Sequence, residues 1–127
     1  LESFREPVLV PIPLAPKRHR ERGFNQAELI CREIIKINEV RKVLRLTLKN
    51  NVLIKPKDTE HQAHIHNRRE RLKNIAGSFK ITHSELIKNR NIILIDDILT
   101  TGATLTEARK ILRASGARKI IAFTVAH

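Results

Sequence analysis

The sequence predicts one α/β domain built on a mostly parallel, open sheet with helices on its faces. Apolar stretches of strand length alternate along the chain with stretches of helical periodicity, which is the order that builds a parallel sheet. The chain has 127 residues, and 41% of them are hydrophobic, enough for a single folded domain with a sizeable core. A third observation comes from residues 92–104, where a buried strand leads directly into two acids, a loop of small residues and a helix.

The first third of the chain predicts a strand, a basic loop and a helix. Val8 to Pro13 is a short apolar strand that its two prolines restrict, because proline donates no hydrogen bond to a sheet. A loop over residues 15–24 follows, and Asn25 caps the next helix, with Glu28 three residues later in the spacing of a capping box. The apolar face of this helix is formed by Ala27, Ile30, Cys31, Ile34 and Ile37.

The remaining elements are predicted from the same periodicities. They are a strand over Val43–Leu48, a polar loop over 49–63, a basic helix over His64–Lys73, a short strand over Ser78–Ile81, the buried strand Ile92–Ile95, a helix over Thr104–Ser115 and a closing strand over Lys119–Ala126. Gly116 is the expected C-cap of the last helix. The inward residues of that helix are Leu105, Ala108, Leu112 and either Ala114 or Ser115.

The most informative functional pattern follows the strand Ile92–Ile95. Asp96 and Asp97 stand where acceptors for sugar hydroxyls are wanted, and the backbone N–H groups of the loop and helix start can hold a phosphate. The phosphate-holding segment is Thr100, Thr101, Gly102, Ala103 and Thr104. Neither a Gly-Lys-Ser/Thr nor a G-x-G-x-x-G pattern occurs there. We therefore predict a site for a phosphorylated sugar; the alternative is a buried strand that happens to end in two acids.

A second candidate site lies in the basic stretch between the first strand and the first helix. Cations and free helix N–H groups converge at such a place, so a pyrophosphate can bind there. The predicted contacts are Lys17, Arg18 and Arg20, with Arg22 in the same stretch. Because ligands of open parallel sheets sit outside the carboxyl ends of the strands, this stretch and the acid pair should face one crevice. A solvated basic loop is the alternative.

Composition sets further bounds. The net charge of +12, from 25 Lys and Arg against 13 Asp and Glu, favours polyanionic partners, although solubility alone is a simpler explanation. The aromatics are four Phe, so binding of nucleic acid should depend mainly on phosphates.

The single cysteine, Cys31, excludes an internal disulfide and fits a reducing compartment and an apolar helix position. No apolar stretch has the length of a membrane span. His61, His64 and His66 lack the spacing of a zinc site.

Residues 92–104 resemble the phosphoribosyl pyrophosphate (PRPP) loop of type I phosphoribosyltransferases. Residues 10–26, Val-Pro-Ile-Pro-Leu-Ala-Pro-Lys-Arg-His-Arg-Glu-Arg-Gly-Phe-Asn-Gln, are similar to the signature of the ComF family of competence proteins, and Gln62, residues 69–74 and residues 77–79 agree with it. The resemblance implies a type I phosphoribosyltransferase fold over residues 1–127. It also implies a zinc module upstream of the present sequence, which begins at Leu1 and contains no methionine.

The resemblance implies a cytoplasmic, PRPP-binding accessory protein of natural transformation that also binds single-stranded DNA. Its partners would include other DNA-uptake proteins at the inner face of the membrane. Asp96 and Asp97 would hold the ribose hydroxyls, and Mg²⁺ would be shared between these acids, through water, and the oxygens of PRPP. With the charge, it implies candidate DNA contacts at Arg41, Lys42, Arg45, Lys49, Arg68, Arg69, Arg71 and Lys73.

Two other functions remain open at this point. One is a nucleobase-salvage phosphoribosyltransferase, and the other is a PRPP-sensing regulator without chemistry. The sequence offers no identifiable general base and no base-recognition pocket, so whether a transfer reaction takes place stays open as well.

Overall fold

The computed structural model describes residues 5–42, 45–56, 79–97 and 102–125, and its centre is a four-stranded parallel sheet. The elements in chain order are β1 (Val8–Pro11), α1 (Pro16–Arg22), α2 (Gln26–Arg41), β2 (Thr47–Leu48), β3 (Leu53–Ile54), β4 (Lys80–Ile81), a short 3-10 helix (Ser84–Leu86), β5 (Asn91–Asp97), α3 (Gly102–Ala114) and β6 (Lys119–Val125). The order in the sheet is β2-β1-β5-β6, with every neighbouring pair parallel. β3 and β4 form a separate antiparallel pair.

The two central strands are covered on both faces, which explains why they are almost wholly apolar. One face packs against Ala108 and Leu112 of α3. The other packs against Ala27 and Cys31 of α2. Burial raises the pKa of the Cys31 thiol to about 12, and the nearby Glu28 carboxylate adds to this rise. The thiol therefore stays protonated in the core, as expected of an apolar position.

The chain leaves β1 and β5 in opposite directions. α2 carries the chain from β1 to β2 on one side, and α3 carries it from β5 to β6 on the other. β1 and β5 are neighbours, with Val8 beside Ile92 and Pro11 beside Ile95. The carboxyl ends of β1 and β5 therefore form the switch point of the sheet, and open α/β sheets bind ligands in a crevice at such a point.

The prediction of a loop over residues 15–24 is wrong in part, because Pro16–Arg22 forms α1. Pro16 starts the helix at a position where proline is favoured. Gly23 ends it with a φ of 79°, and its N–H donates to the carbonyl of His19 at 2.7 Å. The cations of this stretch are thus fixed on a helix.

The predicted caps of the two longer helices differ in outcome. The Asn25 side chain accepts from the N–H of Ala27 at 3.0 Å, which confirms the N-cap of α2. Glu28 instead accepts from Asn50 and pairs with Arg32. At the end of α3, Gly116 has a φ of 102°, and the N–H groups of residues 116 and 117 donate back to residues 113 and 112, which confirms the predicted C-cap.

Other element predictions need correction. The strand predicted over Val43–Leu48 is limited to Thr47–Leu48 among the described residues, and the predicted loop over 49–63 contains β3. Ile37, predicted on the apolar face of α2, is 57% exposed. The strand predicted over Ser78–Ile81 is confirmed at Lys80–Ile81. The basic helix predicted over residues 64–73 lies outside the described residues.

Candidate functional site

The acid pair forms the last two residues of β5, so the strand continues through the acids instead of stopping before them. Asp96 is 1% exposed and Asp97 is 9% exposed. The N–H of Asp97 donates to Oδ1 of Asp96 at 2.8 Å, which fixes the first carboxylate. Because successive side chains of a strand point to opposite faces, Asp96 lies on the α3 face with Leu94 and Asp97 lies on the α2 face with Ile95.

An ion pair joins the acid pair to the basic helix. Nη1 of Arg22 lies 3.5 Å from Oδ2 of Asp97, with side-chain exposures of 30% and 13%. This contact brings the end of α1 to the end of β5, as the shared crevice requires. Arg22 belongs to the basic stretch but is not among the predicted pyrophosphate contacts. In a helix, residues four apart lie on the same face, so Arg22 would have been grouped with Arg18 if the stretch had been predicted as a helix.

The three predicted pyrophosphate residues are exposed on α1 at different angles from Arg22. At about 100° per residue, Arg18 lies roughly 40° from Arg22 around the helix, whereas Arg20 lies about 160° away. Lys17 lies about 140° away on the other side. The structure therefore brings Arg18 and Arg22 to one face, and the ligand roles of Lys17, Arg18 and Arg20 stay predictions.

The structure describes the last three of the five residues in the predicted phosphate-holding segment. Gly102, Ala103 and Thr104 form the first turn of α3, so its first N–H groups have no partners within the helix. This turn contains no acidic residue that would offset the positive end of the helix dipole from within the turn. Among the described residues outside the helix, no atom lies within 4 Å of a Cβ placed on Gly102. Thr100 and Thr101 lie outside the described residues.

A small polar cavity lies beside the crevice, on the side of β1 that faces away from β5. Its volume is about 140 Å³. Its lining residues are Pro11, Pro13, Leu14, His19, Asn25, Glu28 and Asn50. The Asn25 amide donates to the carbonyl of Ile12 at 3.0 Å and also caps α2, so this wall is held rigidly. The sequence alone did not indicate this cavity, because its walls come from three separate segments.

The acid pair suits a magnesium ion only in part. Carboxylate oxygens are the hard donors that Mg²⁺ prefers. Among the described residues, however, no three His, Cys, Asp or Glu side chains cluster as a metal site. Asp96 and Asp97 therefore fit a shared ion whose other oxygens come from the ligand and from water. His61, His64 and His66 lie outside the described residues.

Comparisons with known proteins identify relatives of this chain. Residues 28–127 match the model of the phosphoribosyl transferase domain family. The chain is 33% identical over 115 residues to competence protein F of Haemophilus influenzae, covering 89% of this chain and 47% of that protein. It is 37% identical over 119 residues to competence protein ComFC of Bacillus subtilis, covering 93% and 43%.

A third relative is the DNA utilization protein YhgH of Escherichia coli, 29% identical over 113 residues, covering 88% of this chain and 45% of that protein. The chain thus spans about half the length of the curated relatives it matches. No solved structure matches the chain significantly. The ComF resemblance and the predicted fold class, a mostly parallel sheet with flanking helices, are confirmed. Among the described helices, none is long and apolar enough to cross a membrane.

Proposed function

Because this chain belongs to the phosphoribosyl transferase domain family, we propose that it binds PRPP with magnesium in the crevice between β1 and β5 and serves in DNA uptake. The observation that carries the proposal is the ion pair between Arg22 and Asp97. It brings a cationic helix and an acidic strand end to one place at the switch point of the sheet. PRPP has the matching chemistry, with hydroxyls in the middle and an anionic group at each end.

Each part of the ligand has a matching group. The open first turn of α3, at Gly102, Ala103 and Thr104, receives the 5′-phosphate on its N–H groups. Asp97 accepts from the ribose hydroxyls, and Asp96 supports it by accepting its N–H. Arg22 and Arg18 on α1 neutralise the pyrophosphate. Magnesium, when bound with PRPP, neutralises negative charge on the pyrophosphate and makes it a better leaving group.

If an acceptor is bound, the reaction is displacement at the anomeric carbon, with loss of pyrophosphate. Asp97, buried at the strand end, stabilises the positive charge that develops on the ribose ring. Release of pyrophosphate on addition of a nucleobase would favour the salvage transferase over a binding protein. PRPP binding without release, and without an effect on DNA uptake, would favour the regulator.

The role in DNA uptake is supported by the names of the relatives, two of which are competence proteins and one a DNA utilization protein. Within that role we propose that the protein acts in the cytoplasm, binds single-stranded DNA and cooperates with other DNA-uptake proteins.

Calorimetry with PRPP, with and without magnesium, tests the site. Asp97→Ala should abolish or strongly weaken binding, whereas Glu33→Ala should bind as the wild type does. Glu33 is a suitable control because it is an exposed acid on α2, 67% exposed in its side chain. Equal affinity in all three proteins would reject the site. The same variants, returned to a strain that lacks the gene, test the role: transformation should be rescued by Glu33→Ala and not by Asp97→Ala.

A further inference from the structure

The end of the sheet at which its strands begin, opposite the crevice, carries a row of arginines. Each of the four parallel strands is preceded within three residues by an arginine. They are Arg45 before β2, Arg5 before β1, Arg90 before β5 and Arg118 before β6. Because parallel strands all begin at the same edge, the sequence pattern places these four cations side by side.

The register and the contacts show that three of these arginines are neighbours, with the acid Glu6 among them. The register of the sheet places Glu6 between Arg45 and Arg90, with Arg118 next to Arg90. Arg45 lies 3.3 Å from the Glu6 carboxylate, and the Arg90 guanidinium donates to the Glu6 carbonyl at 3.1 Å. The N–H of Arg118 donates to the carbonyl of Arg90 at 2.8 Å. At the usual strand spacing, the row from β2 to β6 is about 14 Å long.

Further cations join the row because the two long helices end at this edge. Both run back from the carboxyl ends of the strands to their starts. The additional cations are Arg41 and Lys42 at the end of α2, Lys88 before β5, Arg113 in the last turn of α3, and Lys119 at the start of β6. The acids in the described segments that meet here are Glu6, Glu39 and Glu85. Positive charge is therefore in clear excess along this surface, which we call the arginine edge.

Helix dipoles explain only part of this arrangement. Arg41 and Arg113 stand in last turns, where a cation offsets the negative helix end. The arginines that precede strands have no such role, because none of them lies in the last turn of a helix. The Arg45 side chain is 87% exposed, and Arg118 and Lys119 are also exposed. Arg5 is exposed as well, whereas Arg90 is partly buried. Exposed positive charge at several positions along the row is suited to an extended polyanion.

We propose that the arginine edge binds the sugar–phosphate backbone of single-stranded DNA, at the end of the sheet opposite the PRPP crevice. This inference rests on the proposed role in DNA uptake and identifies the surface that performs it. A flexible single strand can lay consecutive phosphates along a row of this length. No aromatic side chain belongs to the row, so binding should be insensitive to sequence and sensitive to salt. Arg41, Lys42 and Arg45, candidates from the sequence, lie on this edge; Lys49 lies after β2, at the opposite end.

A matched pair of double variants tests the surface. Arg118→Gln/Lys119→Gln removes two charges from the arginine edge, and Arg109→Gln/Lys110→Gln removes two exposed charges from the middle of α3. Fluorescence anisotropy with a labelled oligothymidylate across a salt series gives the affinity and its salt dependence. Each phosphate contact contributes about 0.7 to the slope of log K against log salt. The edge variant should therefore lose about 1.4 from the slope, the α3 variant should lose little, and PRPP should not displace the DNA at physiological salt.

Other results would overturn the assignment. Equal losses in the two double variants would mean that only net charge matters. Complete displacement of the oligonucleotide by PRPP at physiological salt would place the DNA in the crevice. Tighter binding to duplex DNA, or to vesicles of anionic lipid, with loss of that binding in the edge variant would identify a different partner for the edge. If the wild type binds no DNA at low salt, the DNA-binding part of the proposed function fails too, whereas the PRPP site is judged separately by the Asp97→Ala calorimetry.

Discussion

Replacement of Arg22 by glutamine tests the contact that the structure adds to the predicted site. Arg22 is the cation that reaches the acid pair, at 3.5 Å from Asp97. In the free protein the loss should be small. The arginine side chain is 30% exposed, so the pair is screened by solvent and its loss should cost about 1 kcal/mol or less of folding free energy.

The effect on PRPP should be larger and selective. A charge-assisted hydrogen bond to the pyrophosphate contributes about 1.5–3 kcal/mol, which corresponds to a roughly 10- to 150-fold weaker Kd in Arg22→Gln. Ribose 5-phosphate lacks the pyrophosphate, so its Kd should change little. Arg20→Gln should cost less than Arg22→Gln, because Arg20 points about 160° away around α1.

Calorimetry with both ligands provides the measurement, and thermal unfolding shows that each variant is folded. Arg109→Gln removes an exposed charge from α3 and therefore controls for the change in net charge. The reasoning is refuted if Arg22→Gln weakens both ligands equally, because the residue would then act on the ribose or on the fold. It is also refuted if Arg22→Gln and Arg109→Gln weaken PRPP binding by the same factor.

Three other outcomes are expected. Gly102→Val should abolish PRPP binding, because its branched side chain would fill the space that the phosphate needs. It should leave the folding free energy nearly unchanged, because no described atom outside the helix lies within 4 Å of a Cβ at that position; a large loss of stability would contradict this. Joint replacement of Lys17 and Arg18 by glutamine should weaken PRPP more than ribose 5-phosphate in the same calorimetry. Cys31 should resist thiol reagents until unfolding. Its raised pKa means that the protonated thiol stabilises the fold below about pH 9 and that this contribution is lost as pH rises toward 12, so denaturation curves of wild type and Cys31→Ala should converge over that range.

The elements that the sequence predicted well are those whose characteristic residues follow one another directly along the chain. The strand Asn91–Asp97 and the helix after it follow each other within one short segment, with apolar residues, acids and a glycine in fixed order. α1 was missed because none of its residues is buried, so it has no apolar periodicity to detect. β3 was missed because it has only two residues and depends on pairing with β4, more than 25 positions later in the chain.

The candidate site shows the same division. The acid pair and the first turn of α3 could be predicted because the residues are neighbours in sequence. The contact between Arg22 and Asp97 could not, since it joins positions 75 residues apart and depends on β1 lying next to β5. The arginine edge also depends on the order of the strands in the sheet. Its residues come from four separate segments, and only the parallel order of the strands brings them into one row.

The two proposed ligand surfaces are joined by one strand, and this determines how PRPP and DNA should influence each other. Arg90 immediately precedes β5 and Asp97 ends it, so the two surfaces lie about 23 Å apart at the usual rise per residue. The Debye length is about 8 Å at 0.15 M salt and about 30 Å at 0.01 M. Repulsion between the two bound anions should therefore weaken joint binding at low salt and vanish at physiological salt. Because coupling is reciprocal, PRPP must change DNA affinity by the same factor as DNA changes PRPP affinity. Coupling that persists at 0.15 M could not be direct repulsion, and would require a conformational change linking the crevice to the arginine edge.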